Sequence, residues 1–265
     1  MAEFETISAR EFARLVEVIG RLRRECPWHR AQTPNSLSKY LIEESYETLA
    51  AIESGEAAAL ADELGDLMLQ ILLQTEIASE SGRFDLPAML SAAADKLVRR
   101  HPHVFAQDSA ASAQEVAARW EETKQAERKR AGIRSALDGI PPHLPALVRA
   151  EKLGERAKAA GMDWPDLRAV LNKVREELDE TLAALDAGAS PEAIAEELGD
   201  CLLALANAPR FIQWSAEETL RRSCEKFIHR FKQVEAQAAL SSRQLSQLDA
   251  EEIDALWNEA KDRDR

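Results

Sequence analysis

Two acidic constellations recur in order along this chain. Glu43-Glu44-x-x-Glu47 is followed by Glu63-Leu-Gly-Asp66, and Glu176-Glu177-x-x-Glu180 by Glu197-Leu-Gly-Asp200. At 100° per residue, Leu37, Tyr40, Leu41, Thr48, Ala51 and Ile52 share one helical stripe, with Glu44 inside it, Glu47 at its margin and Glu43 outside. In the second copy Val170, Val174, Leu178, Thr181 and Leu185 make the stripe; Glu177 falls within it, Glu180 at its edge and Glu176 away. A carboxylate turned toward a core must be paired, protonated or bound to a cation, because an isolated buried charge is very costly.

Turn signals join each such helix to a partner. Ser54-Gly55 and Gly188-Ala189-Ser190-Pro191 mark tight reversals, and Pro191 suits the first turn of a helix. Glu47 and Glu63 each lie eight residues from Gly55, while Glu180 and Glu197 lie eight and nine from Gly188, so the acids of the two helices face one another. The segment from Leu60 to Ala78 is apolar almost all round apart from a lane holding Glu63, Asp66, Gln70 and Gln74, which predicts a central helix. A single EExxE is ordinary solvated helix surface. Its duplication, its phase and its symmetric distance from the turn favour a site.

Carboxylates without histidine or cysteine select magnesium, manganese or calcium over zinc. Magnesium keeps waters and is shared with substrate phosphates, so the expected chemistry is metal-assisted attack at phosphorus. A di-iron bundle needs Glu-x-x-His pairs, and neither hairpin contains a histidine.

The repeat continues into basic and aromatic residues. Lys96 and Arg100 stand one helical turn apart, as do Lys226 and Arg230, and each half then ends in Trp-x-x-x-Lys, Trp120 with Lys124 and Trp257 with Lys261. Taken singly these are solvated helix charges and core tryptophans. Together with the acids they make a set that can neutralise phosphate and stack on a base.

Abundant Ala, Leu and Glu at helical period, with only ten glycines and ten prolines, predict an all-α protein of tandem helical hairpins of the four-helix-bundle type. A basic run at residues 127–130 leads into Pro141-Pro142-His143-Leu144-Pro145, which places an N-terminal domain at 1–130, a linker at 131–145 and a C-terminal domain at 146–265. A net charge of −13 argues against nucleic acid or an anionic membrane as partner. Three cysteines without CxxC spacing, no apolar leader and no apolar stretch long enough to span a bilayer predict a reduced, cytoplasmic setting. Walker A, GxGxxG, HExxH and GxSxG are all absent. His101-Pro-His103, Gly82-Arg83-Phe84 and residues 108–112 read as connections between helices.

Cys26-Pro-Trp28, the EExxE with ExxD, Gly82-Arg83-Phe84, Arg100-His-Pro-His-Val-Phe105 and Ser135-Ala-Leu-Asp138 together resemble the MazG family, over nearly the whole chain. The resemblance is to its two-domain form, all-α, dimeric, magnesium-dependent nucleoside triphosphate pyrophosphohydrolases. It implies metal binding by Glu44, Glu47, Glu63 and Asp66, and by Glu177, Glu180, Glu197 and Asp200. It further implies phosphate or nucleotide contacts by Lys226, Arg230, Trp257 and Lys261, and attack on the α-phosphorus; the internal repeat makes Lys96, Arg100, Trp120 and Lys124 their counterparts, and Glu176 or Glu177, beside the metal ligands, is the candidate base. In two-domain relatives the C-terminal half is often the active one. Cys224 stands where the family commonly has asparagine, and His29 where aspartate is usual. The competing readings are a helical dimerisation scaffold with structural cations, and a narrower dUTP or dCTP pyrophosphatase.

Overall fold

The computed structural model describes residues 2–106, 135–240 and 243–264, with side chains from Ile7 onward, and the scattered positions 112, 115, 116, 119, 120, 123, 124, 126 and 127. Most of the basic run at 127–130 and of the 108–112 connection lies outside the described residues. The chain divides into two compact units, Met1–Glu127 and Arg128–Arg265. Among the described residues there is no strand.

In the first unit α1 (Ala2–Glu25) and a short α2 (Pro27–Ala31) precede the hairpin of α3 (Pro34–Ser54) and α4 (Ala57–Glu80); α5 (Leu86–Arg100) and α6 (Pro102–Phe105) follow, and positions 115–127 are helical where described. Thr33 starts α3 in a reciprocal cap, its hydroxyl accepting from Ser36 N at 3.1 Å while Thr33 N donates to Ser36 Oγ at 2.9 Å. Gly55 ends the helix at φ 70°, a left-handed conformation that only glycine adopts without strain. Leu37 packs with Ile19, Leu72, Leu73 and Ile77 in one core spanning α1, α3 and α4. Buried Arg23 pairs with Glu80 at 2.5 Å and donates to the carbonyls of His29 and Gln32, which ties the Cys26–Thr33 connection to the end of α4.

The second unit runs α7 (Ala146–Ala159), the hairpin of α8 (Leu167–Asp186) and α9 (Pro191–Ala206), a 3-10 turn at Pro209–Ile212, α10 (Ala216–Leu240), a 3-10 turn at Leu245–Gln247 and α11 (Ala250–Arg263). Asp166 and Ser190 cap α8 and α9 through their side chains, Pro191 opens α9, and Gly188 turns the chain at φ 66°. α10 packs against α7 and α11.

Two expectations need correcting. Helix α4 is buried along its C-terminal half, at Gln70, Leu72, Leu73, Thr75, Ile77 and Ala78, yet Leu64, Met68 and Ile71 are exposed. Leu178 and Leu185 on α8, and Ile52 on α3, also face outward. Of the same stripes the hairpins bury Leu37 and the smaller Thr48, Ala51, Val170 and Thr181, as their phase predicts. Short side chains let two helix axes approach closely, so the bulky residues of the same helices are left for the other side.

Candidate metal centre

Each hairpin delivers its acids to one place. Carboxylate oxygens of Glu44, Glu47 and Glu63 lie within 4.8 Å of one another, and so do those of Glu177, Glu197 and Asp200. Antiparallel pairing about Gly55 and Gly188 puts the α3 and α8 acids across from those of α4 and α9. The fourth acid of each set is close by. Asp66 acts electrostatically on both Glu44 and Glu63, and Glu177 on Glu180. The two triads therefore differ, the first counting Glu47 where the second counts Asp200.

The crowding shows in the carboxyls themselves. Partial burial, then the charges of Asp66 and Glu47, pushes Glu44 above the usual carboxylate range. Glu63 rises through desolvation and the nearby Glu47, and Glu180 through desolvation and Glu177. Hydroxyls of Thr48 and Thr181 donate to the main-chain carbonyls of Glu44 and Glu177 at 2.7 and 2.8 Å, so they leave the carboxylates untouched. An all-oxygen, highly negative donor set of this kind fits a hard divalent cation.

Two neighbours of the acids escaped the sequence reading. Glu177, only 7 % exposed, has Lys173 Nζ at 2.7 Å, and the same ammonium is 2.6 Å from the exposed Glu176. Both contacts hold the Lys173 ammonium in its charged form. The signal was present as a lysine three and four residues before the two glutamates. In the first unit the equivalent position is Tyr40, and Glu44 has instead the amide of buried Gln70, whose Nε2 donates at 3.4 Å. Gln70 had been placed in the acidic lane without a role. An open groove of 510 Å³ runs along α8 past Asn172, Arg175, Glu176, Asp179, Glu180 and Ala183.

The basic and aromatic residues gather elsewhere. Arg100 lies over the Trp120 ring at 5.2 Å and pairs with Glu127 at 2.5 Å. Arg230 pairs with Asp264 at 2.7 Å, and Trp257 packs on Phe227 with ring centroids 5.1 Å apart. Lys261 reaches Asn258 Oδ1 at 3.5 Å. Among the described residues, Lys96, Arg100, Lys226 and Arg230 make no ion pair with the acid clusters. Of the predicted set the structure brings Arg100 onto Trp120, and the acids Glu127 and Asp264 were not anticipated. His101 and His103 end α5 and begin α6, as a connection should.

Comparison with known proteins adds a family. The MazG nucleotide pyrophosphohydrolase domain matches twice, at residues 32–105 and 166–235. Those spans contain both acid sets and both basic helices. The chain is 41 % identical to the nucleoside triphosphate pyrophosphohydrolase of Escherichia coli K12, over 94 % of this chain and 96 % of that protein. It is 37 % identical to the nucleoside triphosphate pyrophosphohydrolase/pyrophosphatase MazG of Thermotoga maritima, over 94 % of this chain and 95 % of that one. A 38 % identity to Bacillus subtilis YabN covers 98 % of this chain and 54 % of that longer protein. Two copies of one domain, each carrying a complete acidic constellation, and full-length similarity of this degree mean that the chain belongs to the MazG nucleotide pyrophosphohydrolase family.

Proposed function

We infer that this chain hydrolyses nucleoside triphosphates to the monophosphate and pyrophosphate, as the names of its relatives state for them. The observation that carries the site is the duplicated meeting of carboxylates across a helical hairpin. Glu44, Glu47, Glu63 and Asp66 would hold a divalent cation in one half, and Glu177, Glu180, Glu197 and Asp200 in the other. Magnesium is the choice, with manganese as a substitute, because the donors are all oxygen and the substrate brings phosphates. Bound there, the cation supplies positive charge to phosphate oxygens and lowers the cost of the negative charge that develops on them.

The chain's own residues do the rest. Glu176 or Glu177 takes the proton of a water whose oxygen bonds to the α-phosphorus, while the α-phosphorus–oxygen bond to the β-phosphate breaks and the electron pair leaves with pyrophosphate. Lys173, held between these two glutamates, fixes their orientation. Lys226 and Arg230 offset charge on the departing oxygens, while Trp257 and Lys261 take the base and phosphate. Lys96, Arg100, Trp120 and Lys124 play these parts in the first half, with the joint between halves at residues 131–145. A role in clearing unwanted nucleotides from a cytoplasmic pool accords with the acidic surface. Among the described residues, no helix is long and apolar enough to cross a membrane.

A second copy of the chain completes this reading. Ile42, Tyr46 and Leu49 on α3, and Leu64, Met68 and Ile71 on α4, make exposed stripes at i, i+4, i+7; Leu178, Leu182 and Leu185 on α8 and Leu198, Leu202 and Leu205 on α9 repeat them. Contiguous apolar surface of this extent marks an interface, and a homodimer pairing hairpin with hairpin buries it.

The test is pyrophosphate release with Mg²⁺ and dGTP. In a chain that already carries Glu47→Ala to silence the N-terminal centre, Glu180→Ala and Asp200→Ala are expected to lower turnover at least about a hundredfold, as loss of a metal ligand or of its orientation does, with helicity by circular dichroism retained. Wild-type turnover in both variants would remove the C-terminal centre from the proposal. Glu47→Ala and Asp66→Ala report on the N-terminal one.

A further inference from the structure

The repeat extends beyond the spans of the family match. Seven positions after each closing tryptophan stands an acid, Glu127 after Trp120 and Asp264 after Trp257. In the first unit Arg100 donates Nε and Nη2 to Glu127 Oε2 at 3.1 and 2.5 Å, and Arg99 Nε reaches Oε1 at 2.7 Å. In the second, Arg230 Nε donates to Asp264 Oδ2 at 2.7 Å, with His229 Nε2 3.5 Å from Oδ1. These are not loose surface pairs. Side-chain exposure is 15 and 23 % for Arg100 and Glu127, and 18 and 20 % for Arg230 and Asp264. The same contact forms at the same repeat position in both compact units, so it is built into the domain.

We propose that Glu127 and Asp264 are positioning residues, each fastening the closing tryptophan–lysine helix to the basic helix through its arginine, and that Asp264 holds Arg230 with its terminal nitrogens presented to a nucleotide phosphate. The inference rests on Arg230 being the phosphate contact proposed above. A guanidinium offers five donors in a rigid planar fork, and an acid that engages Nε alone leaves both terminal amino groups for a bidentate contact. Asp264 does this. Among the described residues Nη1 and Nη2 of Arg230 have no partner. Glu127, by contrast, also takes Nη2 of Arg100, whose guanidinium lies over the Trp120 ring. The N-terminal arginine is therefore more fully occupied, and the C-terminal half is the tighter nucleotide binder. Holding the fork in place before substrate arrives removes part of the ordering cost of binding.

The experiment uses the full chain with Mg²⁺ and dGTP, reading kcat and KM for pyrophosphate release, and counting Mn²⁺ bound without nucleotide by electron paramagnetic resonance. Asp264→Ala is expected to raise KM about tenfold or more, the scale of one charge-assisted hydrogen bond, and to lower kcat as well because Arg230 also offsets the departing charge, with unchanged helicity and unchanged Mn²⁺ binding. Asp264→Glu restores most of the lost affinity; should the alanine variant lose helicity, the isosteric Asp264→Asn takes its place. A wild-type KM for Asp264→Ala or Asp264→Asn, alongside a raised KM for Arg230→Ala, overturns the positioning role and leaves the phosphate assignment standing. A wild-type KM for Arg230→Ala overturns both.

Discussion

At the scale of single residues, the two halves solve the same electrostatic problem differently. Glu177 is buried beside an ammonium, whereas Glu44 is half-buried beside an amide and rises in pKa. The phase of EExxE placed both carboxylates inward; their neighbours are set by which side chain occupies the preceding turn, Lys173 or Tyr40. Glycines separate in the same way. A methyl added at Gly154 would stand 1.7 Å from Oδ1 of Asn207, a side chain 2 % exposed that donates to Leu203 O and accepts from Arg210 Nε. Gly154→Ala is expected to cost about 1–3 kcal/mol by overpacking. At Gly199, mid-helix, an added methyl meets nothing within 4 Å, and alanine there should stabilise by about 0.5–1 kcal/mol. Chemical denaturation of the two variants checks the contrast, and equal effects would contradict the packing seen around Asn207.

At the scale of elements, the ion pair between α5 and the helical positions that end the first unit carries a pH signature. Arg100 first, and Arg99 second, hold the Glu127 carboxyl down to about 2. A carboxyl depressed in the folded state stabilises the fold above its unfolded pKa, about 4.3, and loses that contribution as pH falls toward about 2. The urea midpoint of the chain should therefore exceed that of Glu127→Gln at pH 5 to 7, and the gap should close as pH falls below about 4.3. A gap that stays constant down to pH 2 would mean the pair does not form in solution. This contact was invisible to spacing rules, because Arg100 and Glu127 are 27 residues apart and lie on different helices. The hairpins were visible because turn glycines, caps and helical phase are local, and each acid's distance from the turn decides what it faces.

At the scale of the whole molecule, the exposed apolar stripes of both hairpins are the proposed contact between copies. Replacing Leu202, 60 % exposed on α9, by glutamate inserts a charge into the proposed contact between copies, where an unpaired buried charge is costly. Light scattering after size exclusion should show Leu202→Glu shifted from dimer to monomer with its helix content kept. A wild-type chain that runs as a monomer at micromolar concentration would end that assignment.

The sequence by itself determined that the chain is helical, that it is duplicated, where its hairpins turn, and that acids of the two helices meet across each hairpin, since all of these follow from period and local turn chemistry. Tertiary structure decided which members of each predicted stripe go inside, giving Thr48, Ala51, Val170 and Thr181 the close hairpin contact and leaving Ile52, Leu178 and Leu185 outside. It also chose the partners of the buried charges, Lys173 and Gln70 at the acids, Glu127 and Asp264 at the arginines. Helical phase states a direction around one axis, whereas burial and charge pairing depend on what a second helix brings to that direction.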